Sequence, residues 1–184
     1  MLVVWKLLSL YHINVSLNNL SGTMEEKILS KLKNLEVTDL HSNSLQGPLL
    51  IPLSGIYFFS MSRNNLSGVL PSLICNINSL NVLNLSHNNL SDMIPSCFGK
   101  FSDNLFALDL RNNTFHGTIP ETFAKNNLRS LNLNGNQLEG PLPQSLVNCR
   151  HLEVLDLGNN KINNTFPHWL GTLSKFTGSC LVLK

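Results

Sequence analysis

The chain has 184 residues, a formal net charge of +2, and only 13% Asp, Glu, Lys and Arg. So sparse a charge rules against a polyanion-binding surface or an acidic disordered tail, and nucleic acid is not an expected partner. With 42% apolar residues the chain can bury a sizeable core, and 37 Leu with 26 Asn give it a composition unlike that of a conventional globular enzyme.

At the amino end, Met1 to Trp5 is the longest apolar stretch, far short of the roughly 18 to 20 residues of a membrane span. It also lacks a preceding basic residue and a following small-x-small site, and Lys6 interrupts it, so it does not read as a signal peptide. Residues 1–9 are expected to be the remnant of a preceding repeat, without a cap.

From Leu10 onward the pattern Leu-x-x-Leu-x-Leu-x-x-Asn-x-Leu recurs. Three looser copies come first: Leu10/Ile13/Val15/Asn18/Leu20, Leu35/Thr38/Leu40/Asn43/Leu45 and Ile56/Phe59/Met61/Asn64/Leu66. Four clear ones follow, starting at Leu80, Leu105, Leu128 and Leu152 with Asn88, Asn113, Asn136 and Asn160 at the ninth place. Seven repeats therefore span 10–175, and 176–184 is expected to be an off-pattern stub.

Each Leu-x-Leu piece predicts a short strand with inward leucines, and stacked coils predict a parallel sheet. The ninth-place Asn can donate and accept at once, so it is expected to satisfy turn and neighbouring-coil backbone groups and to be structural. Gly and Pro in Leu66-Ser67-Gly68-Val69-Leu70-Pro71 and its equivalents forbid long helices. The predicted fold is an α/β leucine-rich solenoid, curved, with a parallel sheet on its concave face and extended segments and short 3-10 turns, such as Glu121 to Ala124, on its convex side.

The unit Leu-x-x-Leu-x-Leu-x-x-Asn-x-Leu-x-Gly-x-Ile-Pro resembles the plant-specific class of leucine-rich repeats. The strings Leu108-Asp109-Leu110-Arg111-Asn112-Asn113-Thr114-Phe115-His116-Gly117 and Leu155-Asp156-Leu157-Gly158-Asn159-Asn160 resemble the ectodomains of plant receptor-like proteins of the disease-resistance type. The resemblance implies a segment that recognises a protein or peptide ligand in pathogen perception, at the extracellular face of the plasma membrane. It implies a co-receptor kinase as partner of the whole receptor, with membrane attachment through segments outside this chain. Two alternatives stand beside it: a secreted repeat-protein inhibitor of fungal wall-degrading enzymes, and a degenerate truncated fragment without activity. Missing caps favour a fragment and predict self-association of the isolated chain.

No Cys-x-x-Cys, His-Glu-x-x-His, nucleophile elbow or phosphate loop occurs, so no metal, cofactor or enzyme activity is expected. Asp109 and Asp156 share the fifth repeat position two coils apart, but an open strand face would not raise an acid's pKa. Cys75 and Cys97 fall on the convex side of adjacent coils and can be either a disulfide or two packed thiols. Cys149 reads as buried, Cys180 as unpaired. Seven Asn-x-Ser/Thr triplets, at Asn14, Asn19, Asn65, Asn84, Asn89, Asn112 and Asn163, are glycosylation candidates.

Repeat positions three, five, seven and eight are expected to face the concave side. There Phe58 and Val82 offer apolar anchors, and Arg63, His87 and Arg111 form a basic cluster near His41 and Asp109. These six, Phe58, Arg63, Val82, His87, Asp109 and Arg111, are the candidate ligand site. The alternative is that any open solenoid face carries such residues. A glycan on Asn84 would obstruct the middle of this face.

Overall fold

The computed structural model describes residues 10–25, 31–50, 55–100, 104–122, 127–163, 168–169 and 181–182. The chain alternates between two parallel sheets. Sheet A holds β1 (His12–Asn14), β3 (Val37–Asp39), β5 (Phe58–Ser60), β7 (Val82–Asn84), β9 (Ala107–Asp109), β11 (Ser130–Asn132), β13 (Val154–Asp156) and β15 (Leu181–Val182). Sheet B holds β2 (Ser21–Thr23), β4 (Ser44–Pro48), β6 (Asn65–Val69), β8 (Asn89–Met93), β10 (Thr114–Thr118), β12 (Gln137–Gly140) and β14 (Lys161–Ile162).

The Leu periodicity accounts for sheet A directly. In β7, β9, β11 and β13 the central residue is Leu83, Leu108, Leu131 or Leu155, each at most 1% exposed, while its two neighbours are half-buried on the outer face. Together with first- and sixth-place residues such as Leu80 and Leu85, these side chains form one continuous cluster through the coils. The second coil breaks the pattern at Thr38, which is buried with its hydroxyl unpaired.

Sheet B is more regular than the extended segments the sequence predicts. Its register also differs from that of sheet A. Sheet A strands pair position for position, as Leu83↔Leu108, whereas in sheet B the twelfth repeat place pairs with the tenth of the next coil, as Ser67↔Asn89 and Glu139↔Lys161. Position thirteen carries a positive φ in the middle of these strands, which glycine meets in most coils, including Gly68 and Gly117. Asp92 occupies that place in the fourth coil with φ 77°.

Among the described residues, single 3-10 turns follow sheet B strands at Ser72–Asn76, Ser96–Lys100 and Gln144–Asn148. Each is preceded by Pro71, Pro95 or Pro143, whose carbonyl accepts from the amide three residues on. That closure drives Ile74, Phe98 and Leu146 fully into the core. The turn expected at Glu121 to Ala124 lies partly outside the described residues.

The ladder Asn behaves as its chemistry predicts. Asn113 Nδ2 donates to Leu85 O at 3.0 Å and to Leu110 O at 3.1 Å, while its Oδ1 accepts from Leu90 N at 3.0 Å. Asn43, Asn64, Asn88, Asn136 and Asn160 repeat this arrangement. Two residues of the expected stub at 176–184 lie within the described residues. Leu181–Val182 pairs in register with Leu155 and Asp156, so this stub supplies an eighth strand of sheet A. Residues 1–9 and Cys180 lie outside the described residues. At the other end of the stack, Leu20 is 45% exposed where its equivalents Leu66 and Leu90 are fully buried.

Candidate functional site

The outer face of sheet A is built from the third and fifth repeat positions. At the third, Phe58 and Val82 are direct register partners on β5 and β7, half-buried side by side, with Ala107 next in line on β9. Short cross-strand contacts of this kind form a continuous apolar strip.

The fifth position carries a duty that sequence periodicity does not reveal. The side-chain oxygens of Asn14, Asp39, Asn84, Asp109, Asn132 and Asp156 each accept from the backbone amide two residues on, at 3.0–3.2 Å. These closures turn the chain out of the strand. Asp109 and Asp156 are thereby occupied, and Asp156 also accepts from Asn134 Nδ2 at 2.9 Å. Ser60, Ser62 and Ser86, expected among outward positions, are buried.

The eighth position has φ between 52° and 68° in every coil: Leu17, Ser42, Arg63, His87, Asn112, Gly135 and Asn159. This left-handed residue swings the ladder Asn inward and points its own side chain away from the core. Arg63 and His87 thus project from adjacent coils at the end of β5 and β7. At Gly135 the missing side chain leaves room for the Asn112 carboxamide, whose oxygen a Cβ there would strike. Asn112 Nδ2 in turn reaches the His87 ring at 3.2 Å.

Arg63 and Arg111 both act electrostatically on His87, but the two arginines are not equivalent. Arg111 Nε is buried 3.3 Å from Asp109 Oδ2, an ion pair not aligned as a hydrogen bond. Arg63 is exposed and forms no ion pair among the described residues. Burial, then Arg111 and Arg63, lower the His87 pKa, with Asp109 partly opposing them. Burial raises the Asp109 pKa against the pull of the Arg111 amide, the Arg111 guanidinium and His87, and Asp156 adds to the rise. His41 Nδ1 lies 2.7 Å from Asp39 Oδ1 and belongs to that turn instead of the cluster.

Of the triplet asparagines, Asn14 and Asn84 sit on sheet A, Asn19, Asn65 and Asn89 at the tenth repeat position, Asn112 on the left-handed turn, and Asn163 just after β14. Cys75 and Cys97 are joined as a disulfide, Cα atoms 5.7 Å apart, tying the 3-10 turns of two adjacent coils. Among the described residues no cluster of His, Cys, Asp and Glu could hold a metal ion, and no helix is long and apolar enough to cross a membrane.

One feature escaped the sequence reading. The flank leading into sheet A carries a shallow cleft of about 520 Å³ lined by Asn104, Phe106, Asn127, Arg129 and His151. Phe106 shares the second repeat position with Tyr11 and Tyr57, and all three are exposed. An aromatic at every other coil in that column was the available signal.

Comparison with known proteins places these features. Family profiles described as leucine rich repeat match residues 55–77, 80–138 and 151–173. Receptor-like protein 35 of Arabidopsis thaliana is 40% identical over 172 residues, covering 94% of this chain and 16% of that protein. Receptor-like protein 33 is 42% identical, covering 93% and 18%. The chain therefore spans under a fifth of the length of these two relatives. Among solved structures, the Arabidopsis receptor kinase HAESA, in complex with the peptide hormone IDA and the co-receptor SERK1, superposes with a TM-score of 0.83 at 30% identity, over 89% of this chain and 28% of that one. Pollen Receptor Kinase 3 superposes at 0.76 and 30%, over 86% of this chain and 77% of that one.

Proposed function

The chain belongs to the leucine-rich repeat family in the form carried by plant receptor-like proteins, and from that premise we propose that it is a ligand-recognition segment whose sheet A face receives an extended peptide. One observation carries the reading. An apolar pair, Phe58 and Val82, lies beside an exposed cation, Arg63, at the end of the same strands. A peptide laid across β5, β7 and β9 would set an apolar side chain on that pair and a carboxylate within reach of Arg63, with His87 beside it. Arg111 is the weaker anion partner, because Asp109 already engages it.

The ligand class is therefore a peptide with a free carboxylate. For the peptide part of this reading, support comes from HAESA, solved with the peptide hormone IDA, and from the peptide hormone receptor RGFR1, solved in complex with RGF2 and 28% identical to this chain. For the parent receptor we assign the extracellular face of the plasma membrane, a co-receptor kinase as partner, and pathogen perception as the role.

The test is photo-crosslinking of extended peptides, with free or amidated carboxyl ends, to the complete receptor ectodomain. Labels should map to β5, β7 and β9 and favour the free end about tenfold, roughly 1.4 kcal/mol. Arg63→Gln should erase that preference. Labelling confined to another face, or a preference that survives Arg63→Gln, would overturn the reading. Competition by filtrates of plant-infecting microbes, and not by plant wall fluid, separates pathogen perception from response to an endogenous peptide.

A further inference from the structure

The flank leading into sheet A is organised as a ladder. The residue at the second repeat place precedes each strand, and backbone hydrogen bonds stack these residues coil on coil. Tyr11 O accepts from Glu36 N at 2.8 Å and Glu36 O from Tyr57 N at 2.9 Å. Tyr57 O then accepts from Asn81 N at 2.8 Å, Asn81 O from Phe106 N at 2.9 Å, and Phe106 O from Arg129 N at 2.8 Å. Aromatic rungs therefore alternate with polar ones: Tyr11, Tyr57 and Phe106, 54%, 40% and 39% exposed, are separated by Glu36 and Asn81. Two coil spacings put successive aromatics about 10 Å apart.

The last aromatic rung opens onto the cleft of about 520 Å³, where Asn104, Arg129 and His151 bring hydrogen-bonding groups to the wall. Asn104 is held in place by donating from Nδ2 to Asn78 O at 3.0 Å. Arg129 lies 3.7 Å from Glu153, the next rung, and Glu36 stands between the tyrosines, so the ladder has no excess of cations to attract a polyanion.

We infer that this ladder is a binding track for a neutral β-1,4-linked glycan lying along the solenoid axis. In an extended chain of that linkage each sugar ring is turned over relative to the last, so one ring face recurs once per disaccharide, at the spacing of the aromatics. The C–H face of a pyranose packs on an aromatic side chain. Its hydroxyls then lie toward Asn81 on the intervening rung and toward Asn104, Arg129 and His151 at the cleft. A protein partner would call for contiguous apolar area, whereas here a polar rung follows each aromatic. The track shares no residue with the peptide-binding face, which is built from the third and eighth repeat places.

The test is calorimetric titration of the full 184-residue chain with cellohexaose. Two controls accompany it: maltohexaose, whose α-linkage coils the chain, and the cellohexaose chain with each primary alcohol oxidised to a carboxylate. Cellohexaose should bind about tenfold more tightly than either, roughly 1.4 kcal/mol. Phe106→Ala and Tyr57→Ala should each weaken it by a similar factor with far-ultraviolet circular dichroism unchanged, and Phe106→Tyr should retain binding. No binding of cellohexaose at millimolar concentration, equal binding of maltohexaose, preference for the carboxylated chain, or an affinity that neither alanine variant moves would each overturn the inference. Loss of peptide labelling in Phe106→Ala, with no cellohexaose bound, overturns it in favour of a protein partner. Arg63-dependent peptide labelling that persists while cellohexaose fails to bind shows the two sites failing separately.

Discussion

Asn113 Oδ1 accepts a hydrogen bond from the backbone amide of Leu90, 23 residues earlier, at 3.0 Å, and both groups are buried. Asn113→Ala strands that amide and removes one of the donors to Leu85 O, Leu110 O and Arg111 O, which keep Asn88 Nδ2, Asn136 Nδ2 and the His87 amide. A buried group left unpaired costs about 1–3 kcal/mol, so the variant should lose roughly 3 kcal/mol in urea unfolding. Asn18→Ala should lose under about 1 kcal/mol, because Asn18 is exposed and, among the described residues, bonds within its own turn. Equal losses at the two sites would show that the ladder does not act through burial.

Asp92 stands where neighbouring coils have glycine, with φ 77°, and its contact with His116 is 4.0 Å long and exposed. An L-residue in this region is strained by about 1 kcal/mol, and an exposed ion pair of that length offsets little of it. Asp92→Gly should therefore raise the urea midpoint, adding about 0.5–1 kcal/mol with an unchanged m-value. A lower midpoint would mean that the aspartate makes a contribution its contacts do not reveal.

The Cys75–Cys97 bridge closes a loop with a sequence separation of 22. In the chain-entropy account such a loop contributes about 3 kcal/mol by restricting the unfolded chain. Replacing both residues with Ala should lower stability by that order while leaving far-ultraviolet circular dichroism unchanged. A loss of strand signal would indicate that the bridge shapes the folded coils themselves.

His87 binds its proton less tightly in the folded chain than its ordinary value of 6.5 implies. The unfolded chain then takes up more protons near that pH, so stability is complete above about 6.5 and declines as pH falls through it. His87→Gln should flatten that decline in chemical unfolding series. Asp109 has the opposite sign: its raised pKa gives stability present below 3.8 and lost as pH rises through the folded value. Asp109→Asn, which keeps an acceptor for the Arg111 amide, should remove that second dependence and deepen the His87 one, because the Asp109 carboxylate partly opposes the lowering at His87.

The thiol of Cys149 is fully buried and pushed up to about 11. Its thiolate is scarce near neutral pH, so labelling by a maleimide should be negligible in the folded chain and rapid in urea. Fast labelling at Cys149 without denaturant would show that its coil opens locally.

Much of this architecture is written in residue spacing. Leu83, Leu108 and Asn113 recur at fixed intervals, and a side chain's burial in a stacked coil depends on little else. The hidden features depend on orientation. Asp109 and Asn84 share a polar column with the look of a ligand-facing surface, yet each closes its own turn. Ser86 follows a strand and reads as outward, but a left-handed His87 rotates the chain so that the serine is sealed. Arg63 and Arg111 look equivalent until the Asp109 carboxylate is placed beside one of them. The second sheet was harder to read because its strands carry a positive-φ thirteenth place, glycine in most coils, which reads as a bend and not as strand.

The direction of the Asn bonds has a consequence for synthesis. Each ladder Asn completes the coil before it, so on the ribosome the amide of Leu90 waits for Asn113 to emerge. Every new coil is born with an open edge that only its successor can close. Assembly and translation thus advance in the same step, one repeat at a time. A pause in translation within a repeat would hold the newest strand edge exposed for its whole duration.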